Sequence, residues 1–202
     1  MKRPPDDLAD RLWQVSDRFL ALGSDVRVDD LAEMSGVPRA TIYYYFSGRD
    51  DVMAFLLAQN VERATAVVTE ATGRPGSATE RLEGALRTML RQMAEHPSLC
   101  TRLMCWMSTS SAEQLVIEAQ GSLLAPVRDV VAEGQSRGEF VAVDPIDVTT
   151  AFMGALAMVA MRHTVNGDYD PDATADTLVP LLLDGIRTRS DGKVKRSSRP
   201  KS

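Results

Sequence analysis

The stretch Leu31-Ala32-Glu33-Met34-Ser35-Gly36-Val37-Pro38-Arg39-Ala40-Thr41-Ile42-Tyr43-Tyr44-Tyr45-Phe46 has the spacing of two short helices joined by a tight turn. Leu31 and Ala32 supply the inner face of the first helix, and the small side chain of Ala32 lets the second approach closely. Gly36 suits the left-handed backbone of such a turn, and Val37 plugs the gap between the helices. Ile42 and Phe46, four apart, share the inner face of the second helix. Arg39, Ala40, Thr41, Tyr43 and Tyr44 are left on or near the outer face. A helix of this kind fits the major groove of B-form DNA, where its N-terminal residues meet base edges. A helical hairpin in an ordinary bundle would share the spacing. Three consecutive tyrosines beside Arg39 favour DNA, because steps of about 100° keep one short helix from burying all three. An exposed tyrosine suits a phosphate: its hydroxyl donates while its ring packs on the sugar.

Working outward, nearly every segment has helical period. Leu8, Leu12, Val15, Phe19 and Leu22 form one stripe, with Asp6 or Asp7 placed to cap its start and Gly23 to end it. A long helix is expected from Arg49 to about Thr72. Arg74-Pro75-Gly76-Ser77 breaks the pattern, and Ser77 with Glu80 makes a capping box that restarts it. Leu82, Leu86, Met89, Leu90 and Met93 make the next stripe, ending at His96-Pro97. Ser110 and Glu113 make a second possible capping box, and Pro126 marks a break or kink. Asp144-Pro145 starts a helix to about Thr164, and Asp170-Pro171 or Asp172 starts the last, to about Thr188. Pro180 inside that last helix is an unexplained cost. No alternating strand pattern and no internal repeat is found. The fold class is therefore all-α.

The chain has 202 residues, 44% hydrophobic and 25% charged, enough to bury a real core. Aromatics are 5% and methionines number 10, which fits adaptable helical packing rather than an aromatic-rich β-sandwich. Cys100 and Cys105 cannot build a disulfide framework, no leader opens the chain, and no uninterrupted apolar run reaches the ~18 residues of a membrane span. A soluble, cytoplasmic protein with reduced thiols and no membrane partner is expected. The net charge is −5, unevenly spread. Residues 189–202 carry six basic side chains against Asp191 and read as a basic, disordered tail. Residues 1–60 hold seven Lys and Arg against ten Asp and Glu, so a DNA-binding face must be locally basic on an acidic module. Arg27, Arg39 and Arg49 are the candidates for it. His96, Cys100 and Cys105 have poor metal-ligand spacing, and buried thiols with an exposed His96 are expected instead. His163, near the end of an apolar helix, reads as a packed or dimer-seam residue. No metal site, cofactor loop or catalytic motif is found, and no enzymatic activity is expected.

Residues 8–57 resemble the DNA-binding domain of the tetracycline-repressor (TetR) family of bacterial transcription regulators. The likeness is carried by Phe19, Gly23, Val28-Asp29-Asp30-Leu31-Ala32, Gly36-Val37, Thr41-Ile42-Tyr43, Tyr45-Phe46 and Arg49-Asp50-Asp51-Val52. Beyond residue 60 it thins to Gly138-Glu139-Phe140 and Asp144-Pro145. Two departures stand out: Val26-Arg27 occupy the start of the second helix where the family often has Thr, and Pro38 stands where it often has Ser. The resemblance implies a three-helix helix-turn-helix domain over 1–50, followed by an α-helical effector-binding and dimerisation domain over 51–188. It implies a homodimer on a palindromic double-stranded DNA operator, a repressor in function, released by a small molecule.

On that reading Arg39, Thr41 and Tyr44 read bases, Tyr43, Arg27 and Arg49 hold phosphates, and Ala40 lets the helix seat closely. Dimerisation is expected through helices at about 146–164 and 172–188. The first has one stripe of Val148, Phe152, Ala155 and Val159 and another of Met153, Leu156, Ala157 and Ala160. A helix apolar nearly all round needs burial on two sides. A pocket for an apolar or weakly polar effector is expected among Met89, Met93, Leu103, Met104, Trp106 and Met107, with Phe152 and Met158 facing them; the same residues would also make an ordinary Met-rich core. Two other functions compete. An architectural DNA-binding protein would show no small-molecule response, and a cytosolic helical ligand-binding protein would have no specific operator.

Overall fold

The computed structural model describes residues 2–23, 26–98, 101 and 121–188, and the regular elements among the described residues are helices, with one isolated antiparallel bridge, Phe140 to Arg187. The tail from 189, Ser110 with Glu113, Cys100 and Cys105 lie outside the described residues. The first helix, α1, spans Asp6–Ala21. Neither Asp6 nor Asp7 caps it. Pro5 is the N-cap and both acids stand in the first turn, where they face the positive end of the helix dipole. Helix α2 runs Val28–Ser35 and α3 Arg39–Tyr45. Seven residues cannot hold a helix in water unaided. What holds α3 is burial: Ile42 and Phe46 are fully enclosed, beside Leu31, Ala32 and Val37. Each such side chain contributes roughly 1.5–3 kcal/mol on leaving water.

The turn between α2 and α3 is closed from outside. Gly36 has φ +64° and caps α2, and the Arg11 guanidinium of α1 donates to the Ser35 and Gly36 carbonyls at 3.0 and 2.9 Å. The orphan carbonyls at the end of α2 are thereby satisfied by a charged donor from a different helix. At the other end of α2, Asp30 accepts from the Arg27 backbone N–H at 2.7 Å.

Helix α4, Arg49–Thr72, belongs to two cores. Val52, Met53, Phe55, Leu56 and Leu57 close the N-terminal cluster, whereas Val68 lies in the C-terminal one. Helix α5, Ala78–Glu95, starts with the expected box: Ser77 Oγ accepts from the Glu80 N–H at 3.2 Å and Glu80 accepts from the Ser77 N–H at 2.8 Å. The Ser77 N–H bond, with the Ser77 hydroxyl donating to the same carboxylate at 2.9 Å, holds the Glu80 carboxyl below its ordinary pKa. Glu139, far along the chain, adds a second cap by accepting from the Thr79 and Ala78 N–H groups at 3.0 and 3.2 Å. The Thr79 bond is the first cause of its own lowered pKa.

Helix α6, Ala125–Ser136, begins at the break expected around Pro126. Helix α7, Pro145–Asn166, is capped by Asp144, and α8, Pro171–Ile186, by Asp170. Helix α7 is long and apolar enough to cross a membrane by length and composition, a property that a search for uninterrupted apolar runs overlooks. Its inner face is nonetheless buried in protein. Val148, Thr149, Phe152, Leu156 and Ala160 pack inward, so the buried stripe mixes residues from both expected stripes. Arg87 to Asp176 at 2.7 Å and Arg91 to Asp172 at 2.8 Å tie α5 to α8. Pro180 stands on the exposed side of α8, and its place in the helix has no further account.

Candidate nucleic-acid interface

Helix α3 shows its outer face to solvent. Arg39, Ala40, Tyr43 and Tyr44 are exposed and Thr41 is half-buried. Tyr45 is half-buried and packs against the N-terminal cluster. Its ring meets Tyr44 edge-on at 4.9 Å between centroids. One tyrosine of the three is thus a wedge, and the other two, 52% and 62% exposed, are free to meet a large partner.

Two of the three candidate cations, Arg27 and Arg39, converge on a single carboxylate. Asp29, in the first turn of α2, lies 3.2 Å from Arg39 Nη1 and 3.9 Å from Arg27 Nη2, both to Oδ2. Tyr43 donates its hydroxyl to Oδ1 at 3.3 Å. Arg49, the third candidate cation, is half-buried at the start of α4, and its Nε is buried without a partner. Its guanidinium therefore sits deeper than those of Arg27 and Arg39.

A further cation joins the face that the sequence did not single out. Lys2 donates to the Tyr44 hydroxyl at 3.0 Å and stands over the Tyr44 ring at 4.1 Å. The arm that carries it is fixed by the buried Pro4 and by Arg3 paired with Glu62 at 3.4 Å. Only the tertiary path of residues 2–5 reveals this, since Lys2 and Tyr44 are distant in sequence.

The effector candidates are divided. Met89 and Phe152 are buried in the same C-terminal cluster, and Met93 packs against it. Met158 does not join them: it is 51% exposed on the outer side of α7. The reason is helix geometry, because six residues from Phe152 leave it about 120° away round the axis. Leu103, Met104, Trp106 and Met107 lie outside the described residues.

His96 is not exposed as expected. It packs against Trp13 of α1 at 4.4 Å between centroids with the rings tilted by 57°, and burial pushes its pKa below the ordinary value. Arg63 of α4 stands over Trp13 at 5.0 Å, and Asp17 of α1 accepts from the Ser98 N–H at 2.8 Å. The end of α5 is therefore packed on the helix-turn-helix module. His163 bonds Asp168 at 2.8 Å and stacks on Tyr169, whose hydroxyl donates to the Leu90 carbonyl.

Residues 75–186 match the family described as tetracyclin repressor-like, C-terminal domain. No curated protein matches the sequence. Solved structures share the fold. The fatty acid degradation regulator FadR from Bacillus halodurans superposes with a TM-score of 0.78 at 22% identity, covering 88% of this chain and 99% of its own. FadR from Bacillus subtilis, solved in complex with stearoyl-CoA, gives 0.74 at 21% identity, covering 89% and 98%. A TetR/AcrR-family regulator from Thermobifida fusca gives 0.71 at 23% identity, covering 91% and 100%.

Proposed function

The chain belongs to the tetracyclin repressor-like family of DNA-binding regulators, and from that we propose that it is a homodimeric repressor that binds a palindromic operator in the cytoplasm and leaves it when a small apolar molecule binds. The observation that carries the proposal is α3: a short helix locked from behind by Ile42 and Phe46, with Arg39, Ala40, Tyr43 and Tyr44 presented outward. Residues 1–50 do the DNA binding, and 51–188 bind the effector and dimerise. Arg39, Thr41 and Tyr44 read bases. Arg27, Tyr43 and Arg49 hold phosphates, with Lys2 added beside Tyr44.

Dimerisation through α7 and α8 is supported by what those helices leave uncovered. Ile146, Met158, Val165 and Leu181 are 58%, 51%, 75% and 70% exposed. Gly154 of α7 and Gly185 of α8 are also exposed and would let a partner helix approach closely. Two helices from each subunit would bury this strip in a four-helix seam.

The effector site is proposed among Met89, Met93 and Phe152 and the segment containing Leu103, Met104, Trp106 and Met107. A long acyl chain is the first class to try, since the Bacillus subtilis neighbour was solved with stearoyl-CoA. The test is selection of genomic fragments bound by the full chain, followed by release assays on the recovered site. A palindromic footprint released by stearoyl-CoA or by another lipophilic molecule is expected. Recovery of fragments without a common site would overturn the operator, and a site that no such molecule releases would overturn the effector.

A further inference from the structure

Asp29 has no need to be where it is for the sake of its helix. Asp30, the next residue, already stands in the first turn of α2 and caps the Arg27 N–H at 2.7 Å. Asp29 instead reaches across to α3. Its side chain is only 22% exposed, whereas those of Arg27 and Arg39 are 78% and 66% exposed. The carboxylate is sunk behind the two guanidinium groups and takes a hydroxyl from Tyr43 as well. One guanidinium at 3.2 Å, a second at the looser ion-pair distance of 3.9 Å and a phenol at 3.3 Å gather on one anion, a charge arrangement like the one a phosphodiester takes with its two non-bridging oxygens.

We propose that Asp29 is a specificity-determining residue, an internal stand-in for a DNA phosphate that keeps Arg27, Arg39 and Tyr43 occupied until the correct base sequence draws Arg39 away. The proposal rests on the DNA-binding reading above. On an arbitrary duplex, swapping the carboxylate for a phosphate exchanges one anion for another and releases few additional counterions. Two positive charges held by one negative charge behave towards the duplex as about one. On the operator, Arg39 finds a base edge, a contact no phosphate supplies; Arg27, whose guanidinium has donors for both, stays between Asp29 and a phosphate, and Tyr43 turns its hydroxyl to a phosphate. The carboxylate thus subtracts more from indiscriminate binding than from specific binding, so that discrimination rests on a repulsive element as well as an attractive one.

The test compares the full chain with Asp29→Asn on the selected operator and on an unrelated duplex of equal length, each across a salt series. Asp29→Asn frees one cation. Unrelated duplex should bind roughly fivefold more tightly near 0.15 M salt, with a salt slope steeper by about 0.9. Operator affinity should rise by less, so the ratio of the two falls. Asp29→Ser, which keeps a good first-turn residue, carries the same expectation if the asparagine variant folds poorly. Asp50→Asn removes the same charge from the first turn of α4 without touching the three donors. Unchanged binding of unrelated duplex by the Asp29 variants would overturn the proposal. An equal gain from Asp50→Asn would also overturn it, by reducing the effect to net charge. Failure of the unaltered chain to bind any duplex would instead remove the DNA reading, and this proposal with it.

Discussion

At the scale of single residues, the proposed DNA reading divides the face of α3 into contacts that carry sequence information and contacts that hold register. Arg39→Ala should cost about 1–3 kcal/mol on the operator and relax the preference at one position of each half-site, read from binding to operators substituted base by base. Lys2→Ala should weaken all duplexes alike and lower the salt slope by about one, the mark of a phosphate contact. His96 gives a pH prediction. Its folded pKa lies below the ordinary 6.5 because burial disfavours the cation. As pH falls below about 6.5 the unfolded chain takes up the proton first, so stability declines there and is steady above. The lowered carboxyls of Glu80 and Glu139 act at lower pH, since their stabilisation is complete above their ordinary value of 4.5 and is lost only on further acidification. Denaturant midpoints at pH 7.5 and 5.5 should therefore differ for the native chain, and His96→Phe, which keeps a ring against Trp13, should remove its share of the difference. The inner residues of the helix-turn-helix were legible in the sequence because period and size decide them: Leu31, Ala32, Gly36, Val37, Ile42 and Phe46. The partners of Asp29 and Lys2 were not, because they depend on how α2, α3 and the N-terminal arm meet.

At the scale of elements, local signals predicted starts well where a cap is local. Ser77 with Glu80, Asp144-Pro145 and Asp170-Pro171 all stand where the sequence put them. The Glu139 cap on α5 escaped, since its acceptor comes from sixty residues away. Met158 was misplaced as a pocket residue because α7 is apolar nearly all round, and composition alone then cannot say which side faces the core. Gly134 is a position where two magnitudes compete. In a helix interior alanine is favoured over glycine by about 1 kcal/mol. Here a methyl group would overlap the Phe140 ring and press on Ala78. Overpacking costs about 1–3 kcal/mol, so Gly134→Ala should lower the melting temperature rather than raise it. The companion variant Gly84→Ala, whose added methyl meets nothing within 4 Å, should hold or raise it. Together the two variants separate the intrinsic preference from the packing.

At the scale of the whole molecule, the exposed strip of α7 and α8 bears on assembly. Leu181→Glu or Met158→Glu changes a side chain that is largely in solvent within one subunit, so the fold should survive. A charge in the seam should cost about 3 kcal/mol, raising the dimer dissociation constant roughly a hundredfold. Sedimentation would read the change, and circular dichroism would check the fold. The all-α character and the break near residue 75 were plain from the sequence; the pairing of faces across the bundle was not. Helix α4 then sets a condition on the whole. Leu57 belongs to one core and Val68 to the other, and the helix runs between them without a loop. The number of residues in that span is therefore a phase as well as a length. Deleting one residue there turns one core about 100° against the other and draws them about 1.5 Å closer. Inserting seven restores the phase to within about 20° while lengthening the span by about 10.5 Å. Changes of chain length that an ordinary interdomain linker would absorb are thus transmitted to the angle between α3 and the rest of the body.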